Sequence, residues 1–148
     1  MAEKWIIPCN LKHFNVEEHF SKTNKVVWKN SFTIKVGDTV YIYLSAPISA
    51  IVFRCYVIAD KVSDEELQNN QYAIPQKESH NYFSKTTKYV IMELDRVYPK
   101  KLLTLEKLRQ HGLGQVQIQA RADRHLSQYL IETDKQFESK IEDGSDFL

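Results

Sequence analysis

Apolar positions alternate or run together along several stretches of this chain, and the strongest lies in the middle. Residues 39–44 and 50–58 are two runs of Val, Ile, Tyr and Phe joined by Ser45-Ala46-Pro47. Such residues suit a pleated and mostly buried surface, and Pro47 cannot donate to a ladder, so it belongs in the turn. The pattern predicts a long antiparallel hairpin, introduced by a tight Val36-Gly37-Asp38 turn in which Gly37 can take a positive φ. Residues 4–10 predict a short strand that Pro8 places at an edge or a kink, with Trp5 in the core. Residues 86–98 alternate from Tyr89 onwards and predict another strand, closed by Pro99.

Helical spacing appears in four places. Asn15 is a candidate N-cap for a helix over 16–22, with Val16, His19 and Phe20 on one face. Ser63, with Glu66 three positions on, predicts a short helix over 64–69. Thr104 starts a helix that Gly112 ends, with Leu102, Leu105 and Leu108 as its stripe. Asp123 caps a last helix running to Thr133, with Leu126, Tyr129 and Leu130 turned inward. Residues 23–32 read as an ordered loop, 61–85 as a long excursion after the short helix, and 116–118 as an extended piece. From Asp134 the apolar period fades. The expected architecture is therefore α+β: a small mixed β-barrel of about five strands with short peripheral helices over 1–133, followed by an acidic, loosely held tail or linker over 134–148.

Composition narrows the function classes. With 148 residues, 26% charged and 11% aromatic, the chain is a folded domain with one real core. No apolar run approaches the ~20 residues of a membrane helix, and the opening Met-Ala-Glu-Lys-Trp is no signal peptide. Cys9 and Cys55 sit in apolar strand patterns, so they read as reduced, buried thiols and the expected compartment is the cytoplasm. The formal net charge is +1, but residues 99–125 carry six basic side chains against Glu106 and Asp123. That segment suggests either a basic binding face or an ordinary solvated helix surface. The five histidines lack ligand spacing, so no metal is expected. No phosphate loop, nucleophile elbow or Cys–His pair is present, so no catalytic residue, no cofactor and no enzyme activity are expected.

A strand ending in Asn10, Trp28 ahead of Ile34-Lys35-Val36-Gly37-Asp38, the segment Val40-Tyr41-Ile42-Tyr43-Leu44-Ser45-Ala46-Pro47 and a late Gln117-to-Arg121 element follow one another in this order. This order resembles the EVE family of the PUA-like superfamily, related in fold to ASCH, YTH and SRA domains. The resemblance spans about residues 4–132 and implies a nucleic-acid reader that holds a flipped, modified base in an aromatic pocket. Methylated or hydroxymethylated cytosine in DNA is the implied target, and a modification-dependent restriction nuclease the implied partner. An RNA-binding role and an ASCH-like hydrolase of modified nucleosides are the alternatives.

A flipped base must be stacked on rings and read along its polar edge. The residues that would do this are Asn10, Trp28, Tyr41, Tyr43, Ser45, Ala46, Pro47 and Gln117. Trp28 stands in a polar stretch, which favours a pocket wall over core packing. Tyr41 and Tyr43 share one strand face and can serve as pocket caps or as half-buried strand residues. Ser45, Ala46 and Pro47 offer backbone amides at the hairpin tip, and are equally a plain turn. Lys100, Lys101, Arg121 and Arg124 are the candidate phosphate contacts, with simple surface charge as the competing role.

Overall fold

The computed structural model describes residues 2–30, 33–74, 88–114, 116 and 120–142, the last two residues as backbone only. Among the described residues, seven strands form one mixed sheet: β1 (Lys4–Cys9), β2 (Lys25–Lys29), β3 (Thr39–Leu44), β4 (Ala50–Ala59), β5 (Tyr89–Val97), β6 (Leu103–Thr104) and β7 (Ala120–Arg121). Their order is β2-β5-β4-β3-β1-β7, with β6 on the end of β4. All pairs are antiparallel except β1 with β3. Four helices among the described residues accompany them: α1 (Val16–Lys22), α2 (Asp64–Asn69), α3 (Leu105–Gln110) and α4 (Arg124–Glu142). A single 3-10 turn covers Gln71–Ala73. The α+β class and barrel-like outline follow expectation, although the sheet curls without closing and has seven strands instead of about five.

The central hairpin lies where the pattern placed it. β3 is buried on both faces, which is why it reads as a continuous apolar run and not as an alternation. Val40, Ile42 and Leu44 join a core shared with β1 and α1, while Tyr41 and Tyr43 join a second core under α3 and α4. Register shifts between Ile42 and Tyr43, and at two places between β4 and β5, bend the long strands as bulges do. The Val36-Gly37-Asp38 turn has Gly37 at φ +92°. Its Asp38 is buried and accepts the Glu3 amide, the Trp5 indole N–H and the Lys35 amide at 2.9–3.0 Å. That aspartate ties the start of β1 to the start of β3. β7 pairs only with Trp5 and Ile6, so among the described residues Pro8 faces no partner beyond β3.

Three elements differ from the sequence expectation. The stretch read as a loop contains β2, whose Val26 and Val27 are fully buried against β5. β7 was not expected, while the extended piece expected at 116–118 is not tested, because residues 117 and 118 lie outside the described residues. The last helix does not end at Thr133 but runs on to Glu142, because Asp134 and Phe137 have partners on the sheet.

Candidate nucleic-acid interface

Asn10 starts the site. It ends β1 beside Ser45, whose amide donates to the Cys9 carbonyl at 3.0 Å as β1 and β3 run out in parallel. The Asn10 carbonyl takes the amides of His13 and Phe14, and its side-chain oxygen accepts the Lys12 amide at 3.0 Å. This local turn delivers Phe14 to the mouth of α1. Asn15 then caps the helix through the Glu18 amide at 3.1 Å.

Rings gather around Phe14. Its centroid lies 5.4 Å from His19, edge to face, and 5.7 Å from Trp28. His19 in turn meets Phe20, which packs on Phe53. His19 Nε2 lies 2.8 Å from the Lys25 carbonyl. A carbonyl only accepts, so Nε2 carries the proton and Nδ1 is left as an acceptor. Burial lowers the pKa of His19 despite that bond, with Lys22 adding to the effect, so the ring is neutral at pH 7.

Between α1 and the Gln71–Ala73 turn lies a cavity of about 280 Å3, lined by Phe14, Asn15, Glu18, His19, Lys22, Thr23, Tyr72 and Ile74. Its volume is close to the lower end of small-ligand pockets, ~300 Å3. Ring and aliphatic walls face an amide, a hydroxyl and a carboxylate. Tyr72 is 54% exposed, which leaves its ring available to a ligand.

None of the residues expected from the sequence lines this cavity. Trp28 is half-buried and stands behind Phe14 as support. Asn10, Ser45, Ala46 and Pro47 share the end of the sheet at which β1 and β3 stop, with Ala46 and Pro47 exposed. Tyr41 and Tyr43 do share a face, but it is the opposite one, where both are buried under α3 and α4. Gln117 lies outside the described residues. The basic residues are dispersed as well. Lys100 pairs with Glu17 at 3.4 Å, Arg121 reaches Glu3 at 4.0 Å, and the carbonyl of the exposed Lys101 accepts from Lys107 Nζ at 3.2 Å. Arg124 lines a separate cleft with His111 and Tyr129. Phe14, His19 and Tyr72 are the residues that sequence reasoning did not single out. His19 read as part of the inner face of a helix, Phe14 precedes that helix's cap in no periodic pattern, and Tyr72 sits in the excursion without periodicity.

A polar cluster on the other face was also missed. Asp134 of α4 accepts from the Tyr41 hydroxyl at 3.2 Å and from the Tyr98 hydroxyl. Arg54 joins Asp134 at 2.9 Å and also Asp95, while Arg96 reaches Asp134 at 3.5 Å and Glu138 at 2.8 Å. Burial and the neighbouring carboxylate push both tyrosines well above the usual phenol range. Arg54 and Arg96 oppose each other across β4 and β5, and the acids between them offset that like-charge contact. Every charged group there is partnered within the fold, so the cluster fastens α4 and leaves no group poised for chemistry. Among the described residues no set of three His, Cys, Asp or Glu could hold a metal. No described helix is long and apolar enough to cross a membrane.

No protein-family model matches this sequence, and no curated protein sequence matches it. Solved structures do. A mutant form of the ASCH protein from Zymomonas mobilis superposes with a TM-score of 0.65 at 15% identity, covering 88% of this chain and 95% of that one. The non-mutant ASCH protein of the same organism gives 0.62 at 15% identity, covering 88% and 94%. A hypothetical protein from Leishmania major gives 0.61 at 12% identity, covering 93% and 98%. These likenesses bear on the fold, and none of them singles out the EVE family expected from the sequence. The chain shares the fold of the Zymomonas mobilis ASCH protein.

Proposed function

We propose that this domain binds nucleic acid and holds an extruded, modified base in the cavity between α1 and the Gln71–Ala73 turn. The supporting observation is the lining of that cavity: Phe14 and Tyr72 for stacking, neutral His19 beside them, and Asn15, Glu18 and Thr23 as polar groups. An extruded base needs that combination of ring walls and edge-reading groups. A carboxylate such as Glu18 can accept from the exocyclic amine of cytosine. Methylated or hydroxymethylated cytosine in DNA is the target of this reading, and the domain gives its specificity to a nuclease domain or subunit. One added methyl contributes about 0.8 kcal/mol, or roughly fourfold in affinity.

Titration with short DNA and RNA strands carrying plain, 5-methyl or 5-hydroxymethyl cytosine, or N6-methyladenine, tests the proposal. The expected result is a several-fold preference for modified cytosine in DNA, lost in Tyr72→Ala. Because stacking contributes about 1–3 kcal/mol per base, that variant should bind modified strands at least about fivefold more weakly. Its side chain is exposed, so the variant should keep the fold, which a melting curve checks. Equal affinity for plain and modified strands sinks the base-reading role, and a preference confined to RNA moves the target to RNA. Release of product from modified nucleosides would overturn the assignment as a binding module.

A further inference from the structure

We infer that the open cleft between the end of α3 and the first half of α4 holds single-stranded nucleotides of the bound strand at a distance from the bound base. This inference rests on the nucleic-acid reading above, but it uses different residues on the other face of the sheet. The cleft measures about 630 Å3 and is lined by His111, Arg124, His125, Gln128, Tyr129 and Glu132. His111 lies flat on Tyr129, with centroids 3.7 Å apart and planes within 4°. The His125 ring stands 5.6 Å from His111. Three rings thus make a ledge of the kind that stacks bases without regard to sequence.

The charged side chains around the ledge suit a strand. Arg124 is exposed and has no ion pair or hydrogen bond among the described residues, whereas Arg54, Arg96 and Arg121 are each paired with acids. A free guanidinium beside stacked rings is the pairing that a phosphate and its base require. Glu132 is the one acid lining the cleft, and Gln128 donates to it at 3.2 Å. The cleft is more open to solvent than the cavity beside α1. Nothing in this lining distinguishes a modified from a plain base, so its contribution is affinity and not selectivity.

The test is anisotropy titration of the wild type and of the double variant Arg124→Gln/His125→Ala with plain and 5-methylcytosine single strands at several salt concentrations. Both side chains are exposed, and a melting curve confirms an unchanged fold. The double variant should bind both strands about fivefold or more weakly, with the modified-to-plain ratio unchanged. Its salt dependence should be shallower by about one ion. Wild-type affinity at every salt concentration overturns the inference, and so does a loss confined to the modified strand. If the wild type binds plain and modified strands equally while the variant is weaker on both, the base-cavity reading fails and this contact stands. If the wild type binds neither strand, both fail.

Discussion

Asp134 collects Tyr41 from β3, Arg54 from β4, Arg96 from β5 and Tyr98 just beyond it. It and Arg54 are both largely buried, so removing one partner leaves the others uncompensated. Asp134→Asn is expected to cost about 3–5 kcal/mol in urea unfolding, the range for breaking a buried ion pair. The two tyrosines give the same cluster an alkaline limit. Their pKa values are raised in the fold, so their stabilisation is intact below about pH 10, where an unfolded tyrosine ionises, and is lost as pH climbs beyond it. His19 sets the opposite limit. Its pKa is lowered, so the unfolded chain binds more protons, and its contribution is present above about pH 6.5 and lost as pH falls. The unfolding midpoint should therefore drop between pH 7.5 and 5, and less steeply in His19→Gln; an unchanged slope in that variant would contradict the assignment. Little of this was legible residue by residue. Arg54 interrupts an apolar run, and Asp134, its partner, stands where the periodicity fades. Side-chain partners far apart in sequence leave no local signal.

At the scale of elements the local rules served well. Asn15, Ser63 and Thr104 each cap the helix they were expected to start, and Ser63 with Glu66 completes a capping box. Ser63→Ala should accordingly cost about 1 kcal/mol in the same unfolding assay. β3 and β4 were legible because β-branched and aromatic runs with a proline between them admit few other readings. β2 was not, since only Val26, Val27 and Trp28 mark it and its strand character comes from pairing with β5. The second half of α4 escaped for a related reason. Its surface is acidic, and it is held by Phe137 packing edge-on to Tyr98 and by the Asp134 and Glu138 contacts. A chain ending at Thr133 loses all of these. It should unfold at distinctly lower urea than the full chain, by at least the ~3 kcal/mol of the broken ion pair. Equal midpoints would mean that residues beyond 133 add nothing to the fold.

The two faces of one curled sheet carry different features. α1 and the core of β1, β3 and β4 carry the ring-lined cavity, while α3 and α4 cover the other face and present the His111–Tyr129 cleft. The fold was legible from the order of motifs, but the cavity beside α1 was not. The tyrosines of the central hairpin looked available because their strand is so conspicuous, yet a central strand is buried on both faces. The cavity instead forms where α1 meets the excursion after α2, a meeting that no spacing in the sequence announces. Amide NMR during titration with a short DNA strand carrying 5-methylcytosine tests the central claim most directly. The largest shifts should fall on Asn15, His19, Thr23, Tyr72 and Ile74, and be smaller with the plain strand. Binding that leaves these five amides unmoved would contradict the account.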